Sequence, residues 1–98
     1  MDKEQFSRIA KALADPRRFE ILEAIACQDE MPCKNLVEGF PISQATISHH
    51  VKELATAGLI EVRREAQCCH YRPRPGVIAE YLEEAARRLG AEATAAAE

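Results

Sequence analysis

No stretch of these 98 residues approaches the ~20 consecutive apolar positions that span a bilayer. Met1-Asp2-Lys3 does not open a signal peptide either. Together these absences lead us to expect a cytoplasmic protein with no membrane partner. The four glycines fall singly, at turns or element ends, and none belongs to a phosphate-cradling loop. No pattern sets a nucleophile beside a base, so an enzyme is not expected. There is no internal repeat and no second domain. Residues 1–90 read as one domain, and alanine-rich 91–98 as a tail that frays.

The chain also lacks an overall basic charge: its net charge is −3. That deficit is unevenly spread. Residues 1–43 hold six Lys/Arg against eight Asp/Glu, and residues 76–98 hold two against five. Residues 44–75 hold five against three, plus all three histidines. Phosphate binding depends on the charge facing the duplex, so an acidic total does not exclude it. It does predict weak non-specific binding that salt removes easily. With 47% apolar and 30% charged residues the composition is globular.

The basic segment begins at the most informative stretch, Ile42 to Leu54 followed by Ala57-Gly58-Leu59-Ile60. Ser43 suits an N-cap, and Gly58 suits the left-handed residue that ends a helix. Ile47, Val51 and Leu54 recur at helical spacing as one narrow apolar stripe. The opposite face carries Ala45, Ser48, His49, Lys52 and Glu53. Short polar side chains near a helix start suit a DNA major groove. Periodicity alone favours an ordinary amphipathic surface helix, and it is the surrounding elements that reverse this.

Residues 3–14 read as a helix with Phe6, Ile9, Ala10 and Leu13 on one side. Asp15-Pro16 caps and starts a second helix to about Gln28, with Phe19, Leu22, Ile25 and Ala26 apolar. Met31-Pro32 is too short for an independent strand but long enough to add an edge to a sheet. A short third helix lies near Cys33–Glu38, and Gly39-Phe40-Pro41 turns into the stretch above. Two short helices joined this way form the helix-turn-helix pattern. After Gly58 the period becomes two, giving a hairpin with strands near 59–64 and 68–72. Pro73 and Pro75 stop the second strand. A last helix runs from Val77 to about Leu89, closed by Gly90. The fold class is mainly α with a small β-hairpin: a winged helix-turn-helix with flanking terminal helices.

Four segments in this order resemble the ArsR/SmtB family of bacterial winged-helix repressors. They are Leu13–Leu22, Ser43–Leu54, Ala57-Gly58-Leu59-Ile60 and His70-Tyr71-Arg72, and the likeness covers residues 5 to 89. The resemblance implies a homodimer paired through its first and last helices, two recognition helices reading an inverted repeat in double-stranded DNA, and repression relieved by a small inducer. That inducer is often a thiophilic metal or metalloid such as As(III). The amphipathic terminal helices support the dimer independently, because a monomer would expose their apolar faces. The rival reading is a winged helix used for protein–protein interaction; an apolar recognition helix would favour it.

The chain departs from the family's sensing patterns. The last helix carries no His, Asp or Cys, so the zinc-sensing set is missing. Only Cys33 stands where arsenic sensors carry closely spaced cysteines. Cys27 has no cysteine in the last helix to pair with, as reactive-sulfur sensors do.

The DNA-binding candidates are Ser43, Gln44, Thr46, Ser48, His49 and Lys52 on the recognition helix, with Arg63 and Arg64 on the wing for phosphate or the minor groove. Arg17 and Arg18 suit either phosphate or plain surface. His50 flanks the apolar stripe and reads as a packed, hydrogen-bonded side chain. The metal or redox candidates are Cys33, Cys68 and Cys69. Neighbours on a strand point to opposite faces, so Cys68 and Cys69 do not chelate one ion together. A trigonal thiolate site needs a third sulfur, from Cys33 if Met31-Pro32 pairs beside the second wing strand, or from a partner subunit. His70 is either a nitrogen ligand or a strand histidine facing solvent, and Cys27 is expected to be a small buried hydrophobe. The alternative for all of these thiols is no sensing role at all.

Overall fold

A computed structural model describes residues 1–91. Five helices and a three-stranded antiparallel sheet follow in the order α1 Lys3–Ala14, α2 Pro16–Ala26, β1 Met31–Pro32, α3 Cys33–Gly39, α4 Gln44–Thr56, β2 Ile60–Glu65, β3 Cys68–Pro73 and α5 Pro75–Leu89. The architecture is the winged helix-turn-helix with flanking helices, as the hydrophobic periods require. The alanine-rich segment from 92 onward, expected to fray, lies outside the described residues.

Local chemistry starts each helix. Asp2 accepts from the Gln5 amide at 2.7 Å, Asp15 from the Arg18 amide at 2.9 Å, and Ser43 from the Thr46 amide at 3.1 Å. Each satisfies a donor that the helix itself cannot. The last helix begins at Pro75, two residues before the expected Val77, because a proline at the first helical position lacks only an amide hydrogen that would be unpaired there anyway. Gly90 closes that helix with φ 68°, and Gly58 closes the α4 turn with φ 85°.

The sheet has strand order β1-β3-β2. Met31 stands opposite Tyr71 and Pro32 opposite His70, so the two-residue edge strand forms by pairing with the wing. Ile60 stands opposite Pro73 and Glu65 opposite Cys68. The wing strands are thus offset by about a residue from those expected, because proline is tolerated at a strand end. Tyr71 is buried, and its alternation partner Cys69 packs against the same core. Ile9, Ile21, Ile25, Leu36, Ile47, Leu54 and Leu59 form the fully buried centre, drawn from α1, α2, α3, α4 and the start of the wing.

Among the described residues, one polar side chain enters this core. His50 is 7% exposed, and its Nδ1 accepts from Arg18 Nε at 3.3 Å. Arg18 also donates to the Ala12 carbonyl, so the guanidinium ties α4 to α2 and to the end of α1. Burial pushes His50 below the usual histidine value of 6.5; Asp15 opposes that shift and the Arg18 charge reinforces it. An unprotonated Nδ1 is the form that accepts the Arg18 hydrogen bond. Cys27 is not the buried hydrophobe expected: it caps the end of α2 and is exposed, past the last turn that faces the core.

Both the buried histidine and the wing turn have measurable effects on stability. Between its depressed folded value and 6.5, His50 binds fewer protons folded than unfolded, so stability rises with pH across that window. The urea midpoint is expected to fall as pH drops from ~7.5 to ~5.5, above the range where carboxylates titrate, and less steeply in His50→Gln. Ala66 begins the two-residue wing turn with φ 55°, a conformation that costs a Cβ-bearing residue ~1–2 kcal/mol. Ala66→Gly is therefore expected to raise the unfolding free energy by ~0.5–1 kcal/mol in the same titration.

Candidate nucleic-acid interface

The inner face of α4 buries Ile47, His50, Val51 and Leu54, which forces the remaining positions outward. Ser43, Gln44, Ala45, Thr46, Ser48, His49 and Lys52 are all exposed. Gln44, Ser48 and Lys52 succeed one another at four-residue spacing and form one stripe. Ser43 and Thr46 are partly occupied with each other: their hydroxyls lie 2.9 Å apart within the cap. Gln44 and Ser48 make no side-chain hydrogen bond among the described residues, so both are available to base edges or phosphates.

The stripe forms one wall of an open cleft of about 820 Å³, with the wing opposite. Arg64, Val62, Cys69 and Tyr71 share the sheet face that turns toward this cleft. Lys34, at the start of α3, lines it too. It was not among the sequence candidates, since nothing in a lone exposed lysine marks the face it occupies.

The wing arginines divide. Arg63 points to the other sheet face, donating to Glu30 at 2.6 Å and to Glu65. These two carboxylates push the Arg63 guanidinium up, and Arg63 in turn holds both carboxyls below the usual carboxylate range. Glu30 also gathers His70 at 3.5 Å and Arg72 at 3.7 Å. Sequence reading paired Arg63 with Arg64 as equivalent charges. It missed Glu30, thirty-three residues away, which only the β1–β3 pairing brings within reach of the wing. Arg64 has no carboxylate partner among the described residues; its guanidinium lies 3.7 Å from Cys69 Sγ.

The same division holds among the arginines, although Lys3 and Lys11 on α1 also stand without a carboxylate partner among the described residues. Arg8, Arg17, Arg63, Arg72, Arg74, Arg87 and Arg88 all form ion pairs. Arg18 is engaged with His50. Lys34, Lys52 and Arg64, the three cations of the cleft, pair with no carboxylate among the described residues. An anion approaching the cleft thus meets cations that need not first be released from a competitor.

The thiols are placed unequally. Cys33, Cys68 and Cys69 all line the cleft, but Cys33 and Cys69 are half-buried and pack against the core, whereas Cys68 is exposed. Met31-Pro32 does pair beside β3, the arrangement that brings Cys33 near the wing. Burial and hydrogen bonding with Cys33 push the Tyr71 phenol up. Among the described residues no three His, Cys, Asp or Glu side chains cluster as metal ligands.

Comparison with known proteins agrees with this geometry. A helix-turn-helix domain family matches residues 13–63. The arsenical resistance operon repressor of Staphylococcus xylosus is 41% identical over 64 residues, covering 65% of this chain and 61% of that repressor. The chain therefore spans less than two thirds of that relative. The arsenical resistance operon repressor of Staphylococcus aureus is 31% identical over 83 residues, covering 85% of this chain and 79% of its own length. The solution structure of a homodimeric winged helix-turn-helix DNA-binding domain from Mycobacterium bovis superposes with a TM-score of 0.71 at 28% identity, over 87% of this chain and 79% of that one. These relatives carry the names of repressors and of a DNA-binding domain, not of enzymes. The chain belongs to the ArsR/SmtB family of winged-helix transcriptional repressors.

Proposed function

We propose that this regulator is a homodimeric repressor that sets α4 of each protomer in the major groove of an inverted repeat and lays the wing along the adjacent backbone. The observation that carries the reading is the convergence of Lys34, Lys52 and Arg64, unpaired among the described residues, with Gln44 and Ser48 on one cleft. Gln44 is suited to bidentate pairing with adenine, and Ser48 to a base edge or phosphate. The cations supply the sequence-independent part of the affinity. A polar outer face on α4 disfavours use of this surface as a protein-binding helix groove.

Dimerisation would use α1 and α5. Phe6 and Tyr81 hold these helices together with ring centroids 4.9 Å apart, and Arg88 lies 4.0 Å over the Phe6 ring. Beyond that contact α5 has no buried residue, and Leu82 and Leu89 are 58% and 81% exposed. A second copy would cover these side chains. Release from DNA by a thiol-directed inducer, such as a trivalent metalloid or an oxidant, fits the thiols that line the same cleft. The arsenical resistance repressors among the relatives support the metalloid.

Two measurements test this reading. Sedimentation is expected to show a dimer at micromolar concentration, and Leu82→Glu with Leu89→Glu to weaken both dimerisation and operator binding. Footprints should show half-sites about one helical turn, ~34 Å, apart or a multiple of it. A stable wild-type monomer with full DNA affinity would overturn the dimer.

For the interface itself, Gln44→Ala and Ser48→Ala should each reduce discrimination between selected and random duplexes by ~1–3 kcal/mol. Arg64→Ala should weaken both and lower the salt slope by ~1, the share of a single phosphate, whereas Arg63→Ala should leave the slope unchanged. Equal slopes for Arg64→Ala and wild type in fluorescence anisotropy would remove the wing from the phosphate backbone.

A further inference from the structure

Met31 opposite Tyr71 and Pro32 opposite His70 end the β1–β3 ladder; Cys33, the next residue, opens α3, and Cys69 is the next residue of β3 toward the wing turn. Both thiols pack beside the buried Tyr71 and line the cleft between α4 and the wing. Cys68, one residue away, also lines the cleft but is exposed and does not pack against the core. The Arg64 guanidinium, the wing's unpaired cation in that cleft among the described residues, lies 3.7 Å from Cys69 Sγ.

We propose that Cys33 and Cys69 close an intramolecular disulfide that loosens the cleft's hold on DNA, an inference that rests on the repressor reading above. The oxidant is of the hydroperoxide class. Cys69 sulfur attacks the terminal peroxide oxygen, giving a sulfenic acid and releasing water when the peroxide is hydrogen peroxide. The Cys33 sulfur then attacks the sulfenic sulfur, forming the S–S bond and releasing a second water. The peroxide gains two electrons and the thiols lose two, so no other co-reactant is needed.

The link to DNA is mechanical and electrostatic. Cys33 is the first residue of α3, the first helix of the helix-turn-helix, and Cys69 lies in the wing. A covalent bond between them pulls the start of α3 onto β3. It also turns Cys69 Sγ away from Arg64, so the wing's free cation is no longer aimed by the sulfur beside it. A disulfide here therefore alters both walls of the cleft at once.

The test uses full-length protein carrying Cys27→Ser and Cys68→Ser, which retains only the proposed pair. Its DNA probe is a fluorescein-labelled duplex selected from a random pool by the reduced protein. After stoichiometric hydrogen peroxide, mass spectrometry is expected to show the loss of two hydrogens and a Cys33–Cys69 linked peptide, both reversed by dithiothreitol. Affinity for the selected duplex is expected to fall ~10-fold or more, an ordinary allosteric amount. Adding Cys33→Ser should abolish that response while preserving reduced-state affinity. Absence of the linked peptide overturns the proposal, and so does a disulfide that leaves affinity unchanged. Because the peptide map is read without DNA, reduced protein that selects no duplex would instead overturn the repressor reading, and the map would still decide whether the pair forms.

Discussion

Burial of one face of α4 is the constraint on which the rest of the molecule depends. Ile47 and Leu54 are fully enclosed, Val51 and His50 nearly so. A helix with that stripe pinned to α2, α3 and the wing has no rotational freedom left, since turning it would expose the stripe and bury Gln44, Ser48 and Lys52. Large-to-small changes in such a stripe cost ~2–5 kcal/mol, a large fraction of the stability of a small domain. The orientation of the polar face is thus a consequence of hydrophobic packing, and recognition inherits its precision from the core. His50 adds a directional element, because its hydrogen bond from Arg18 fixes the register of α4 against α2.

Charge is organised on the same plan. An acidic chain can present a cationic cleft if its carboxylates are engaged elsewhere. Glu30 and Glu65 neutralise Arg63, Glu84 takes Arg87 and Arg88, and Glu61 takes Arg74. Such exposed pairs contribute little stability each. Their effect is to neutralise most arginines away from the cleft while leaving Lys34, Lys52 and Arg64 available in it. The field is therefore local, which agrees with a regulator that must leave non-specific DNA readily.

The two-residue strand β1 has an influence out of proportion to its length. Pairing Met31-Pro32 with β3 brings Glu30 to one face of the wing and Cys33 to the other. On one face it creates an ion-pair cluster, and on the other it brings Cys33 into the lining of the cleft. The wing is consequently joined to the helix-turn-helix by a short ladder rather than resting on it as a free hairpin.

Much of this was written in the sequence. Asp15-Pro16, Ser43 and Gly58 declare helix starts and stops through their own backbone chemistry, and the 3.6- and 2-residue apolar periods separate helices from wing. The recognition face was legible because it is the complement of a stripe on a single helix. Tertiary structure alone decided what depends on residues far apart in the chain. Whether Arg63 or Arg64 is free turns on Glu30, and whether Cys33 reaches the cleft turns on the pairing of β1. Cys27, which composition alone would bury, sits one residue beyond the helical turn that faces the core. Periodicity assigns each side chain to a face of its own element, but the neighbour waiting across that face is set by long-range pairing, to which a local pattern carries no reference.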